Sequence, residues 1–290
     1  MAPGNEAAGS AGPEDGRRDV RTSGWSAARP FARYVAIGDS STEGLDDPAP
    51  DGSFRGWADR LAETIAEVQG PEAPLLYANL GVRGRKTGEI RSQQLGCALA
   101  MRPDFMTLFA GTNDLVSRHF DLAAAAADLE EMMRAAAASG AVLLTFTLPD
   151  LAPVMPLARR IAPRLLAWNE ATRNAAARTG TLLVDFAAHP VASDPRLWSP
   201  DRLHANSAGH SRIAAALASA LDLPGADNSW RQPLPEAAPR SAARRLVDEV
   251  SWGRTYLLPW LLRHLLGRSS GDDRHPKRPE LAPVLLAPPR

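Results

Sequence analysis

The 290-residue chain has one cysteine, Cys97, and only two lysines, Lys86 and Lys277. A single thiol excludes an intramolecular disulfide and a thiolate metal cluster. Its place in an apolar helical pattern suggests a small buried side chain. Arg plus Lys and Asp plus Glu stand at 33 each, and this balance gives no argument for nucleic acid or for an acidic substrate. No apolar run approaches the ~18 residues of a membrane span. The segment through Arg29 is polar and lacks the apolar stretch of a secretory leader. A cytoplasmic protein is the simplest expectation.

What is present is enough hydrophobic content, 44%, for a core of one sizeable domain. Residues 1–30 hold too little apolar surface to offset the entropy of ordering, and are expected to be disordered. The compact domain is expected over 31–222. It starts with a strand at about 33–38, followed by a turn-rich loop through Asp46 to Gly52. A helix of about 54–68, capped by Ser53 or Asp51, carries Trp57, Leu61, Ile65 and Val68 on one face.

Further strands are expected over Leu75–Leu80, Phe105–Ala110, Ala141–Thr147 and Thr181–Asp185. Helices lie between and after them: one capped by Thr87 and ending near Met101, the alanine-rich run 121–138, about 156–178 with a possible kink at Pro163, and about 206–221. Strands alternating with helices of this length argue for an α/β fold with a parallel sheet covered on both faces.

Residues 223–268 read as a linker followed by an amphipathic helical extension. The apolar part, Tyr256 to Leu266, is too short to span a bilayer. It suits a helix docked on the domain or on a second subunit, or a basic element resting on a membrane surface. From residue 269 onward a disordered tail is expected.

Four loops carry polar residues at places where such a sheet binds its ligands. Gly38-Asp39-Ser40 follows the first strand, the Gly81–Gly84 turn the second, and Gly111-Thr112-Asn113-Asp114 the third. Asp201-Arg202-Leu203-His204 precedes the last helix. Singly, each is ordinary turn chemistry, and Asp201 with His204 could equally be part of a metal site. Jointly they supply a nucleophile, a base with an orienting acid, and oxyanion donors, which are the parts of acyl transfer. The first loop fits neither a phosphate-cradling P-loop nor a dinucleotide fingerprint.

In these blocks, with Asn79 opening the second, the chain resembles the SGNH hydrolases, or GDSL esterase/lipase family, over about 33–222. The resemblance implies a flavodoxin-like three-layer α/β/α sandwich with a five-stranded parallel sheet. It implies an esterase that acts through an acyl-serine, without metal or organic cofactor, on a small-molecule ester. Acyl transfer or thioester cleavage by the same site is the alternative, and a non-catalytic module on this fold a further one. Ser40 would be the nucleophile, His204 the general base and Asp201 its orienting acid. Ser40 and Gly84 would donate backbone N–H groups to the oxyanion, and Asn113 its side-chain amide. Ser41 stands where the family's short name has leucine, and is a rival hydroxyl. Asp39 reads as a turn residue. Arg83 and Arg85 could meet an anionic group of a substrate. The identity of that substrate, and the oligomeric state, are not legible.

Overall fold

A computed structural model describes residues 25–26, 29–236, 241–259, 262 and 270–286. Most of the N-terminal segment expected to be disordered, and part of the apolar run 256–266, lie outside these residues.

Strand β1 (Arg33–Gly38) is buried at five of its six positions, as an apolar run flanked by strands on both sides must be. It pairs in parallel with β2 (Leu76–Asn79) on one side and β3 (Phe105–Phe109) on the other; β4 (Val142–Phe146) and β5 (Leu182–Val184) continue the parallel ladder. The order is β5-β4-β3-β1-β2, the expected five-stranded sheet, with a sixth strand at the β2 edge.

The helices are α1 (Ser40–Glu43), α2 (Gly56–Gln69), α3 (Thr87–Ile90), α4 (Gly96–Ala100), α5 (Thr112–Leu115), α6 (Leu122–Ala138), α7 (Ala162–Thr179), α8 (Ser207–Ala220) and α9 (Ala242–Trp252). α2 packs on α8, while α3, α6 and α7 pack in succession. Right-handed crossovers place these two groups on opposite faces of the sheet. Trp57, Leu61 and Ile65 are fully buried on the inner face of α2, but Val68 lies at its edge.

Several local expectations are corrected. Asp51 bonds the Ser53 amide and hydroxyl within its own turn, and α2 begins at Gly56 with no side-chain cap. Thr87 is the first residue of α3 rather than its cap, because its amide and hydroxyl both donate to Asp114, at 3.0 and 2.8 Å. Pro163 does not kink a helix: a 3₁₀ turn, Pro156–Ile161, precedes it and Pro163 stands in the first turn of α7. That is where a missing N–H is harmless.

Cys97 is exposed, not buried. A π-turn, Arg91–Leu95, joins α3 to α4. Its extra residue per turn rotates α4 relative to an uninterrupted helix.

The largest correction concerns the C-terminus. Residues expected as a disordered tail form β6 (Arg278–Pro283), antiparallel to β2. Just before it, the Lys277 ammonium donates to the carbonyls of Phe54 (2.8 Å) and Arg55 (2.9 Å) and pairs with Asp59, both side chains being largely buried. The core also runs past residue 222: Trp230 is buried and packs edge-on against Phe186. No helix among the described residues is long and apolar enough to cross a membrane.

Removing one member of a largely buried pair leaves the other charge without its partner. Lys277→Met in the full chain is therefore expected to lower unfolding free energy by about 3 kcal/mol in urea titrations, with most of the loss recovered by adding Asp59→Asn. An effect indistinguishable from zero would mean that the terminal strand is not fastened here.

Candidate functional site

The site starts from the end of β1. Gly38 has φ 155°, and a Cβ there would lie 2.2 Å from Thr42 Oγ1 and 2.5 Å from the Phe109 carbonyl oxygen, so only glycine fits. The Asp39 carboxylate accepts the Ser41 amide at 3.0 Å and caps the one-turn helix α1, at whose first position Ser40 sits. Beneath this turn, the π-turn brings Gln94 inward. Its side-chain oxygen accepts the Gly38 N–H at 2.8 Å and its amide donates to the Gly38 carbonyl at 2.9 Å. Both backbone groups of Gly38 are thereby satisfied by one buried side chain, as buried polar groups require. Gln94 was missed in the sequence. Only the register shift of the π-turn gives it this role, and nothing in the local pattern signals it.

The last loop meets Ser40 from α8. His204 Nε2 lies 2.9 Å from Ser40 Oγ, and His204 Nδ1 lies 2.6 Å from Asp201 Oδ2. The other Asp201 oxygen accepts the amides of Leu203 (2.9 Å) and His204 (3.1 Å), which locks the carboxylate onto its own loop. Arg202 between them has φ 64°, the left-handed conformation that lets three residues return the chain on itself. Asn206 caps α8 through the amides of Ala208 and Gly209, both at 3.0 Å, so the loop is anchored at its exit.

The ionisation states are set by this geometry. Burial opposes charge on Asp201, but its hydrogen bond with His204 and two backbone amides hold its carboxyl below the usual range. Burial alone would lower the His204 pKa. The Asp201 hydrogen bond and charge, with Asp46 and Asp39 beyond, raise it above the ordinary imidazole value. Burial pushes Asp39 up to about 7 despite the Ser41 amide.

Asp46 Oδ2 stands 3.9 Å from His204 Nδ1, so Asp46, Asp201 and His204 form an oxygen–nitrogen cluster. Both imidazole nitrogens are engaged, however, with Asp201 and with Ser40. The arrangement leaves no ring lone pair for a metal unless the serine contact is broken.

Gly84 (φ 76°) and Asn113 line one groove together with Ser40 and His204. The Asn113 amide nitrogen donates to the Arg85 carbonyl at 3.0 Å and more weakly to Asp39 Oδ2 at 3.3 Å. Gly81 lies elsewhere: a Cβ on it would touch Glu43 N and Thr42 within 3 Å, and its amide is held by Asn79. Asn79 also donates to the Thr42 carbonyl at 2.7 Å, tying the end of β2 to the nucleophile turn.

Ser41, the rival hydroxyl, accepts the Trp57 indole N–H at 3.2 Å, whereas the His204 ring bonds Ser40. Arg83 is held by Glu43 through its amide and guanidinium, and Arg85 by Glu89 at 3.3 Å. Neither arginine presents a free cation at the site.

His210 is a second histidine of the same neighbourhood with a different task. Its Nδ1 accepts the Trp57 amide at 3.1 Å and its Nε2 faces the Leu45 carbonyl at 2.8 Å. Burial lowers its pKa to about 4, so it is a neutral strut between α8, α2 and the loop after α1.

A small apolar cavity of about 80 Å³ opens beside Ser40 and His204, walled by Phe109, Phe146, Phe186 and Trp198. A buried water needs ~10–15 Å³ on this measure, so the cavity has room for a small organic group. The groove lined by Gly84 and Asn113, about 530 Å³, shares Ser40 and His204 with this cavity.

Comparison with curated proteins gives no match. Among solved structures the chain is similar to LAE5, an α/β hydrolase from the metagenome of Lake Arreo, Spain (TM-score 0.56, 23% identity, 66% of this chain and 95% of that one). It is also similar to Axe2, an acetylxylan esterase of Geobacillus stearothermophilus (TM-score 0.56, 19% identity, 68% and 97%). A third is the psychrotrophic esterase EstA of Pseudoalteromonas sp. (TM-score 0.52, 16% identity, 66% and 96%). At these identities the likenesses establish the fold. The profile of the GDSL-like Lipase/Acylhydrolase family matches residues 36–212, which hold every residue placed at the site above. With well over half of the sequence matched, the chain belongs to the GDSL-like lipase/acylhydrolase family.

Proposed function

We propose that this member of the family hydrolyses carboxylic esters with Ser40 as nucleophile, His204 as general base and Asp201 as its orienting acid. The single observation that carries the reading is the unbroken chain Ser40 Oγ–His204 Nε2 (2.9 Å) and His204 Nδ1–Asp201 Oδ2 (2.6 Å). A serine hydroxyl is a weak nucleophile near neutrality and needs such a base. Asp201 fixes the tautomer with hydrogen on Nδ1, so that Nε2 has its lone pair toward the hydroxyl.

Ser40 Oγ adds to the ester carbonyl while its proton passes to His204. The imidazolium so formed is stabilised by Asp201 at contact and by Asp46 at longer range. Collapse expels the alcohol, protonated by His204, and leaves acyl-Ser40. Water, deprotonated by His204, then attacks the acyl carbon and releases the acid. An acceptor other than water would turn the same acyl-serine to acyl transfer, and a thiol leaving group would make it a thioesterase.

The oxyanion is assigned to the backbone amides of Ser40 and Gly84 and to the Asn113 amide. Asn113 spends its second N–H on the 3.3 Å bond to Asp39, which is the weaker of its two. An oxyanion would draw that N–H away, and the strong bond to Arg85 would keep the amide in place. Such an exchange favours the transition state over the free enzyme.

The same proposal includes contact with a lipid surface through the C-terminal extension. The support is that Val247, Val250 and Leu258 are each more than half exposed. Their joint replacement by serine is expected to lower sedimentation with phosphatidylcholine liposomes severalfold; unchanged sedimentation would rule out that contact.

Ser40→Ala is expected to reduce hydrolysis of p-nitrophenyl acetate by more than about 10³-fold with the fold intact. A fluorophosphonate should label Ser40 by peptide mapping, in the wild type and in Ser41→Ala alike; label on Ser41 would overturn the assignment. Asn113→Ala should lower kcat by about 10²–10³. Because His204 must be neutral to act and its pKa is raised, kcat/KM should climb with pH through a midpoint above about 6.5. Asp46→Asn removes one of the charges that raise it and should move that midpoint downward. A midpoint unchanged in Asp46→Asn would show that Asp46 does not act on the base.

A further inference from the structure

Beyond the family match, which ends at residue 212, the chain returns to the catalytic face. Trp252 at the end of α9 and residues of the π-turn Gly253–Leu257 that continues it line the larger groove. They are built on the Asp201–His204 loop itself. The Trp252 indole N–H donates to the main-chain carbonyl of Asp201 at 3.0 Å. The Arg202 guanidinium lies 4.7 Å over the Trp252 ring and pairs with Glu249 at 2.8 Å. Arg202 is the left-handed residue that forms the turn between Asp201 and His204. Downstream, Lys277 and β6 fasten the far end to α2 and to the sheet. Residues 247–259 are thus a strap secured on the Asp201–His204 loop.

What the strap encloses has a definite chemistry. Trp252, Tyr256 and Leu257 line the groove from the strap, together with Met155, Leu157 and Ile161 from the segment after β4. Of the two arginines that line the groove, Arg83 is neutralised by Glu43, whereas Arg160 is exposed. At about 530 Å³ the groove falls in the usual ~300–1,000 Å³ range of sites for drug-sized ligands, far above the 80 Å³ cavity that shares Ser40 with it. The apolar side chains of this lining recognise hydrocarbon by removing it from water.

We infer that the strap, residues 247–259, is the outer wall of the substrate site, and that it selects esters bearing a linear or aryl hydrocarbon group of several carbons, with Tyr256 and Leu257 as specificity determinants and Trp252 as a positioning residue. The inference rests on the proposed ester hydrolysis at Ser40 and deepens it. Trp252 acts by holding the strap to the Asp201 carbonyl; Tyr256 and Leu257 touch the chain of the substrate.

The test uses the full chain and two ester series: p-nitrophenyl esters from acetate to dodecanoate, and acetates of alcohols from ethanol to dodecanol. In the wild type, kcat/KM should rise with chain length in one series, by up to about fourfold per methylene, the factor equivalent to ~0.8 kcal/mol per buried CH₂. Tyr256→Ser/Leu257→Ser should lower the ratio of long-chain to acetyl or ethyl activity at least tenfold, mainly through KM. Trp252→Ala should lower the same ratio, and Trp252→Phe, which keeps the ring over Arg202 but not the hydrogen bond, should recover part of it.

A second measurement needs no variant. Inactivation of the wild type with a long-chain alkylphosphonate should protect the strap from tryptic cleavage at Arg254, whereas a methylphosphonate should not. Equal loss on short and long esters, or no rise with chain length in either series together with equal tryptic cleavage of both adducts, would overturn the strap's role while leaving ester hydrolysis standing. Absence of hydrolysis throughout the wild-type panels, with no phosphonate on Ser40, would overturn the hydrolase reading instead.

Discussion

The close approach at Gly38 is the constraint on which the site depends. The strand must end, reverse and present Ser40 within four residues, and the space where a side chain would stand at Gly38 is filled by Thr42 and by the Phe109 carbonyl. The turn therefore works only with glycine, and only while β3 lies against β1 in the observed register, in which Gly38 faces Phe109. Gln94 closes the arrangement from below by occupying both backbone groups of the same glycine. A change in any of the three elements would move Ser40.

From that junction the remaining parts are placed by short, rigid links. Asn79 joins the end of β2 to α1, Asp114 joins the end of β3 to α3, and His210 joins α8 to α2 and to the loop after α1. Each link uses a buried polar side chain with its partners satisfied. Such groups are costly when unpaired, and so they specify one arrangement of the loops. His204 and Asp201 need fewer constraints because one four-residue turn, Asp201 to His204, carries both. Low-dielectric surroundings then set the proton affinities: Asp201 stays ionised because His204 and two amides face it, and His204 gains basicity from the carboxylates around it.

The C-terminal segment reaches both the sheet edge and the groove. β6 covers the β2 edge, which would otherwise present unpaired backbone groups to other chains. Upstream of it, Trp252 lines the groove and donates to the Asp201 carbonyl. Fastening of the sheet edge, and in our proposal substrate selection, fall to residues beyond the family match.

Much of this protein is decided by local sequence. The apolar runs at 33–38, 105–109 and 142–146, each ended by glycine or proline, determined parallel strands, because buried strands need continuous apolar side chains and sharp exits. The order of Ser40, Gly84, Asn113, Asp201 and His204 along the chain determined that their loops would meet at one sheet edge, since parallel strands all deliver their carboxyl ends there. Tertiary structure decided what depends on distant neighbours. It turned Cys97 outward and Gln94 inward through a π-turn that no periodicity announces. It drew the polar tail into the sheet, because β2 offered an unpaired edge and Asp59 an unpaired charge, and it laid Trp252 against the Asp201–His204 loop across 51 residues of chain. Those outcomes arise from edges, charges and cavities that exist only once the domain has folded.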